Sequence, residues 1–378
     1  MRTKPIETFP QKIMEIQNLH LDRRAFAKSL AAVAAGSALG LPVLAQAQPQ
    51  SFNRKIKLGM DNFSVRALGW KAGALIDYAA SLKLDSLFIT DLKPFENFSE
   101  SYLQDLKKTA ADKELQIQPG SWSICPTSKA FKKDWGTAEE HLALGIRLAK
   151  ALGSPVFRVI LGTREDRKTE GGIEARIHDT VKVCKALRSQ AIDAGVKIAV
   201  ENHAGDMQAW ELVTLIEEAG RDYVGVNLDS GNAAWTLEDP LESLEILGPY
   251  TVTTSLRDDM VWESPDGAKV QWTAMGEGCL DLKTYFKRFA ELCPGVPVHI
   301  ETISGFAVEF PYLKPGFWDA WPKARAKDFA RFVALAKRGK ALPPHKSAND
   351  QEEREYQKGE LERSIKYCKD VLGLGLKV

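Results

Sequence analysis

The chain has 378 residues, 44% of them hydrophobic, enough for one large domain or two ordinary ones with a substantial core. Fifty-one Lys and Arg balance 50 Asp and Glu to a net charge of +1, so no charge excess points to a nucleic acid or a membrane surface as partner. Five cysteines, at 125, 184, 279, 293 and 368, form no CxxC pair, which argues against a zinc ribbon or a disulfide scaffold. Cys184 reads as core, while Cys279 and Cys293 flank one helix and could pair in an oxidising compartment.

In chain order, Arg23-Arg24-Ala25-Phe26-Ala27-Lys28 follows a polar leader, then comes an apolar run from Ser29 to Leu44, then Ala45-Gln46-Ala47. That is the layout of an export signal over residues 1–47, of the twin-arginine type. The run falls short of the ~20 residues that span a bilayer, and Gly36, Gly40 and Pro42 interrupt it. The expectation is cleavage near Ala47, a periplasmic location, the twin-arginine export machinery as a partner, and no stable membrane anchor.

From Ser51 onward apolar runs alternate with amphipathic ones. Strands are expected at 55–60, 85–90, 114–119, 155–161, 197–201, 224–229, 251–256 and 296–301. Helices are expected at 71–83, 100–114, 137–152, 172–194, 207–220, 240–247, 281–293 and 322–338. Ile173, Ile177, Val181, Cys184, Leu187 and Ala191 share one helical face, and Gly195 closes that helix. Eight strands alternating with helices imply parallel pairing, here an α/β fold of the (β/α)8 TIM barrel type over residues 51–340. No GxGxxG follows the first strand, so a dinucleotide fold has no support.

Two strand-to-helix connections are long, 257–280 and the aromatic 303–321, and either line a substrate pocket or pack over the barrel rim. Residues 341–378 form a C-terminal extension whose 349–372 stretch reads as a charged amphipathic helix. It would be a brace or a contact in a homo-oligomer.

Three strands end on acids: KIAVE at Glu201, VGVNLD at Asp229 and VPVHIE at Glu301. The C-terminal ends of parallel barrel strands are where barrel enzymes place their chemistry. Three carboxylates brought together would repel and raise one another's pKa, and a hard divalent cation, Mg2+ or Mn2+, would resolve this. The plainer alternative is that each acid caps a helix or pairs with a nearby Arg. His203 follows Glu201 closely, and either touches substrate or is a hydrogen-bonded structural group. His299 shares a strand face with Glu301 by the period of two.

Residues 55–338 resemble the xylose-isomerase-like superfamily of (β/α)8 barrels, the sugar phosphate isomerases and epimerases. The resemblance is carried by ENH at 201–203, LDSGN at 228–232, SLRD at 255–258, GEG at 276–278 and HIE at 299–301. It implies a metal held by Glu, Asp, His and Glu at the ends of strands five to eight. Glu201, Asp229 and Glu301 match the first, second and fourth. Where the epimerase branch reads HLKD, this chain has Ser255-Leu256-Arg257-Asp258, so the imidazole is replaced by a hydroxyl. Asn232 stands where several relatives carry a substrate-touching His.

By resemblance, Glu201 and Glu301 would be metal ligands and the catalytic acid/base pair, and Asp229 a pure ligand. Arg257 would hold an anionic or hydroxyl-rich substrate, with His203, Asn232, Trp262 and His299 as further contacts. The activity implied is metal-dependent isomerisation or epimerisation of a free sugar or keto-sugar through an enediolate. One alternative is a lyase, decarboxylating an oxo-sugar acid or eliminating from a 3-keto-glycoside. Another is a non-catalytic periplasmic sugar-binding barrel. The related DNA-repair endonucleases are disfavoured, because six scattered His and a balanced charge suit neither their metal cluster nor DNA.

Overall fold

Strands alternate with helices throughout the computed structural model of the chain, which describes residues 56–377. The leader at 1–47, read from the sequence as an export signal, lies outside the described residues. Along the described chain run β1 (Leu58–Asp61), β2 (Ser86–Ile89), β3 (Gln116–Ser123), β4 (Val156–Ile160), β5 (Lys197–Glu201) and β6 (Val224–Leu228). They are followed by β7 (Thr251–Thr254), β8 (Asp258–Ser264), β9 (Gly267–Thr273), β10 (Val298–Ile300) and β11 (Ala307–Phe310).

Eight of these pair in the order β10-β1-β2-β3-β4-β5-β6-β7, all parallel. A parallel bridge between Leu256 and Ile300 brings the two ends of the order together. There Leu256 N donates to His299 O at 2.7 Å and Glu301 N donates to Leu256 O at 3.0 Å. The result is the expected (β/α)8 barrel. Its strands are buried on both faces, which is why they read as apolar runs rather than alternating ones. Side chains fill the interior: Phe88 packs on His299, and Thr253 of β7 donates across the ring to Gln118 of β3 at 2.5 Å.

The outer helices start where the sequence offers caps. Thr137 and Glu140 form a capping box, and Ser99, Asp239 and Asp281 accept from first-turn amides. The helix expected over 172–194 is two helices, Gly172–Ala186 and Arg188–Ala194, because Leu187 leaves helical geometry at φ −102° and ψ 8°. Its apolar face is unbroken in the core, and Gly195 ends it at φ 65°.

The two long connections are not irregular. Ser264 and Gly267 pair around Pro265-Asp266, folding 258–273 into an antiparallel ribbon, and β11 adds a third strand from the 303–321 segment. A Cβ at Gly267 would meet the Phe310 carbonyl at 2.2 Å, so glycine is what lets β11 lie alongside. This small sheet has its own core: Val261, Val270 and Phe310 pack on Phe332 and Leu335 of the helix Ala326–Ala336. The C-terminal helix, Asp350–Asp370, instead puts Leu361, Ile365 and Cys368 into the main core. It lies beside β10 and the first helix, Ala72–Ser81, where Tyr78 donates to Glu362 at 3.0 Å and Lys369 to the Leu82 carbonyl at 3.1 Å. It is therefore the outer helix of the closing strand, and residues Ser51–Val378 form one compact unit.

All five cysteines are free, so Cys279 and Cys293 are not paired; the Cys293 thiol instead faces the Gly248 carbonyl at 3.5 Å. No helix among the described residues is long and apolar enough to cross a membrane.

Candidate active site

The register of the parallel strands brings Glu201, Asp229 and Glu301 to one mouth of the barrel, all three buried. Asp61, at the end of β1, joins them as a fourth acid. Two arginines enter the same volume. Arg158 Nε donates to Glu201 Oε2 at 2.6 Å, and Arg257 Nη2 donates to both Asp229 Oδ2 and Glu301 Oε2.

Amides and hydroxyls complete the set. Asn227 Nδ2 donates to Glu201 Oε2 at 2.7 Å, and Asn232 Nδ2 donates to Asp229 Oδ2 at 2.7 Å and reaches Glu201 Oε1 at 3.3 Å. Ser255 donates its hydroxyl to Asp61 Oδ2 at 3.0 Å, while Thr90 and the Phe63 amide serve Asp61 Oδ1. Asp229 also caps the short helix Ser230–Ala234, its Oδ1 accepting from Gly231 N and Asn232 N. The plainer alternative read from the sequence, an acid that caps a helix and pairs with an Arg, therefore describes Asp229 in full.

Above this floor lies a cavity of about 430 Å3, lined by Arg158, Glu201, His203, Asn232, Arg257 and Glu301 and walled by Phe63, Trp122, Trp135, Trp272 and Phe306. A larger hollow of about 830 Å3 lies elsewhere, lined by none of the strand-end acids; in it Arg167 pairs with Glu211 and Lys323 with Glu174. Volume alone does not mark the site.

His203 lines the first cavity. Its Nδ1 lies 2.7 Å from the Gly162 carbonyl, and since a carbonyl only accepts, Nδ1 carries the proton and Nε2 is left as an acceptor. Its ring meets Trp122 edge-on, and Asp206 holds its loop by accepting from the His203 and Met207 amides. Burial lowers the His203 pKa to about 4, so the ring is neutral.

His299 does not line the cavity. It is fully buried inside the ring, its Nδ1 3.1 Å from the Thr254 carbonyl. The period of two does put it on the Glu301 side of its strand, but one layer deeper. Trp262, at 8% exposure, pairs with Lys269 on the β8–β9 ribbon and is also away from the cavity; the tryptophan that reaches it is Trp272. Sequence reasoning missed Asp61 and Arg158. The signal for Arg158 was present: a charge in the middle of Val-Phe-Arg-Val-Ile must be paired if it is buried. It missed Ser121 and His141 too, which line the cavity 2.6 Å apart.

Burial raises the carboxyls, and the arginines decide which stay ionised. Burial would push Glu201 up, but Arg158 holds it below its ordinary value. Asp229 is pushed up to about 7 by burial, against the pull of Arg257, and Glu301 is raised well above its ordinary value by burial, only partly offset by the same guanidinium. One shared Nη2 group cannot neutralise two buried acids.

As paired here, Glu201, Asp229 and Glu301 do not present the open ligand set that Mg2+ or Mn2+ would need. The space between Asp229 and Glu301 is filled by a guanidinium. The group at the imidazole position, Ser255, donates to Asp61 rather than offering a lone pair. No cluster of three His, Cys, Asp or Glu suited to a metal exists among the described residues.

A closed ring of eight parallel strands with paired acids and bases under an aromatic cavity at its C-terminal mouth is a (β/α)8 barrel of the kind that carries active sites there. More narrowly, the chain belongs to the xylose isomerase-like TIM barrel family, whose model matches residues 76–309. No curated protein sequence matches it. Among solved structures it is similar to D-psicose 3-epimerase in the presence of D-fructose, at 14% identity and TM-score 0.55 over 84% of this chain and 100% of that one. It is likewise similar to D-psicose 3-epimerase with D-tagatose from Clostridium cellulolyticum H10, at 14% identity and TM-score 0.53 over 82% and 98%. A third is the IOLI protein with a bound zinc atom, at 16% identity and TM-score 0.51 over 76% and 100%. At these identities the likeness is one of fold.

Proposed function

We propose that this barrel is a sugar isomerase or epimerase acting on a free sugar or keto-sugar through an enediolate. One observation carries the reading: a single cavity sets Glu301, Glu201 and Arg257 under aromatic walls of the kind that pack on sugar rings. Glu301 gives one oxygen to Arg257, and its other accepts no hydrogen bond among the described residues, leaving it for the proton beside the substrate carbonyl. As that C–H bond breaks, its electron pair forms the enediolate C=C bond and the carbonyl oxygen gains charge. Arg257 lines the same cavity and supplies the positive charge that offsets it. Return of the proton to the neighbouring carbon isomerises the sugar, and return to the other face of the same carbon epimerises it. Glu201, whose Oε1 has only the long Asn232 contact, is the second group placed to move a proton.

The test is incubation of a panel of aldoses, ketoses and 3-keto-sugars in D2O. Deuterium should enter at an α-carbon with the skeleton intact, and Glu301→Gln should slow this by roughly 10^2–10^4-fold. Exchange at near wild-type rate in that variant would remove Glu301 from the chemistry. A second reading, elimination from a 3-keto-glycoside, draws on the rim: Trp122 and Phe306 are 36% and 44% exposed, forming an apolar ledge where an aglycone could lie. In the same assay it would show as a released aglycone.

A further inference from the structure

We propose that Arg257 is a built-in replacement for the divalent cation of this site, so that the protein closes its own acid cluster and binds no divalent ion at the barrel mouth. The inference rests on the pocket assigned above but not on the reaction assigned to it.

The guanidinium is held in a socket rather than resting in one rotamer among several. A Cβ at Gly231 would stand 2.5 Å from Arg257 Cγ and 2.6 Å from Cδ, so the glycine of the LDSGN stretch is the space through which the arginine stem passes. Trp272 covers the guanidinium, its ring centroid 4.4 Å from Cζ, and its Nε1 donates to the Gly231 carbonyl at 3.0 Å. Ser230 clamps the backbone from the other side, its hydroxyl donating to Arg257 O at 2.6 Å and accepting from Arg257 N at 3.0 Å. The second arginine is accommodated the same way: a Cβ at Gly120 would lie 2.9 Å from Arg158 Cβ.

Each acid a metal would need thereby gives one oxygen to a partner within the protein. Arg257 takes Asp229 and Glu301 together, Arg158 takes Glu201, and Ser255 spends its hydroxyl proton on Asp61. Arg257 keeps its positive charge at the cavity wall, where a bound cation would otherwise supply it.

The experiment is a metal-binding measurement on the full chain, stripped with chelator and equilibrated separately with Mn2+, Mg2+ and Zn2+. Bound Mn2+ is read by paramagnetic resonance, and Mg2+ and Zn2+ by elemental analysis after gel filtration. Wild type should retain far less than one ion per chain and show no metal-dependent rise in melting temperature. The double variant Ser255→His/Arg257→Ala, which supplies an imidazole and removes the guanidinium, should gain about one ion per chain and melt higher with metal.

One ion per chain in wild type that is lost in Asp229→Asn would overturn the proposal. So would a folded double variant that stays metal-free, since Arg257 would then not be what excludes the ion. Should the double variant not fold, wild type against Asp229→Asn still decides. Deuterium exchange in a protein found to hold metal would sink this inference alone, whereas a metal-free protein that exchanges with no sugar would sink only the reaction.

Discussion

Replacing Arg257 with Met tests the charge balance at the mouth most directly. Methionine is about as long, fits the channel over Gly231 and keeps contact with Trp272, so packing is roughly conserved while one positive charge is lost. Asp229 and Glu301 are then buried acids without their cation. Breaking a buried pair in this way costs about 3–5 kcal/mol, which for a domain this long corresponds to a fall in melting temperature of roughly 4–7 °C at a pH where both acids are ionised.

The pH dependence fixes the cause. Burial already raises both carboxyls in wild type, Asp229 to about 7. Without Arg257 they rise further, so the folded variant binds protons that the unfolded chain releases above about pH 4, and stability falls as pH rises. Below that, both states are protonated and the variant should approach wild type. Folded wild type keeps its own Asp229 proton up to about pH 7, so melting curves from pH 4 to 9 should show a gap that opens above about 7 and widens from there. A constant gap, or one under about 2 °C at pH 9, would refute the electrostatic account.

Glu238 offers a second titration away from the mouth. Fully buried, it accepts from Ala209 N and Thr236 Oγ1, yet burial raises it to about 8. Its contribution is complete below the unfolded value and is lost as pH rises through 8. Glu238→Gln should therefore gain on wild type between pH 4.5 and 8, by no more than roughly 4 kcal/mol in urea melts; a pH-independent difference would rule this out. The two ribbon tryptophans should separate cleanly. Trp272→Ala should lower kcat/KM by about tenfold through loss of the cation–π cover on Arg257, while Trp262→Ala should leave it unchanged. Equal effects on steady-state rates would mean that the cavity is drawn wrongly.

The barrel was legible in the sequence because its strands are buried on both faces and its helices carry a clear period. The convergence of residues 201, 229 and 301 followed from strand ends alone. What the sequence hid was charge supplied from elsewhere. Arg158 sits in mid-strand, where its pairing with Glu201 depends on the β4–β5 register, and Arg257 was read for substrate alone, its bridge between two acids unseen. Trp262 and Trp272 are indistinguishable in a stretch read as loop; only the ribbon register shows which turns toward the mouth. The roles of the helices at 326–336 and 350–370 likewise depended on which core each one joins, and both faces look equally apolar in the sequence.

The last helix joins distant parts of the chain. Gly375 N donates to Ile56 O at 2.9 Å, so the two ends of the described chain lie side by side, next to the β1–β10 pair. A ribosome-bound chain would thus expose one apolar flank until that helix emerges, inviting chaperone capture during translation. The same adjacency means that the ends could be joined by a short linker and new ones opened in a surface loop, giving a permuted protein with the same barrel.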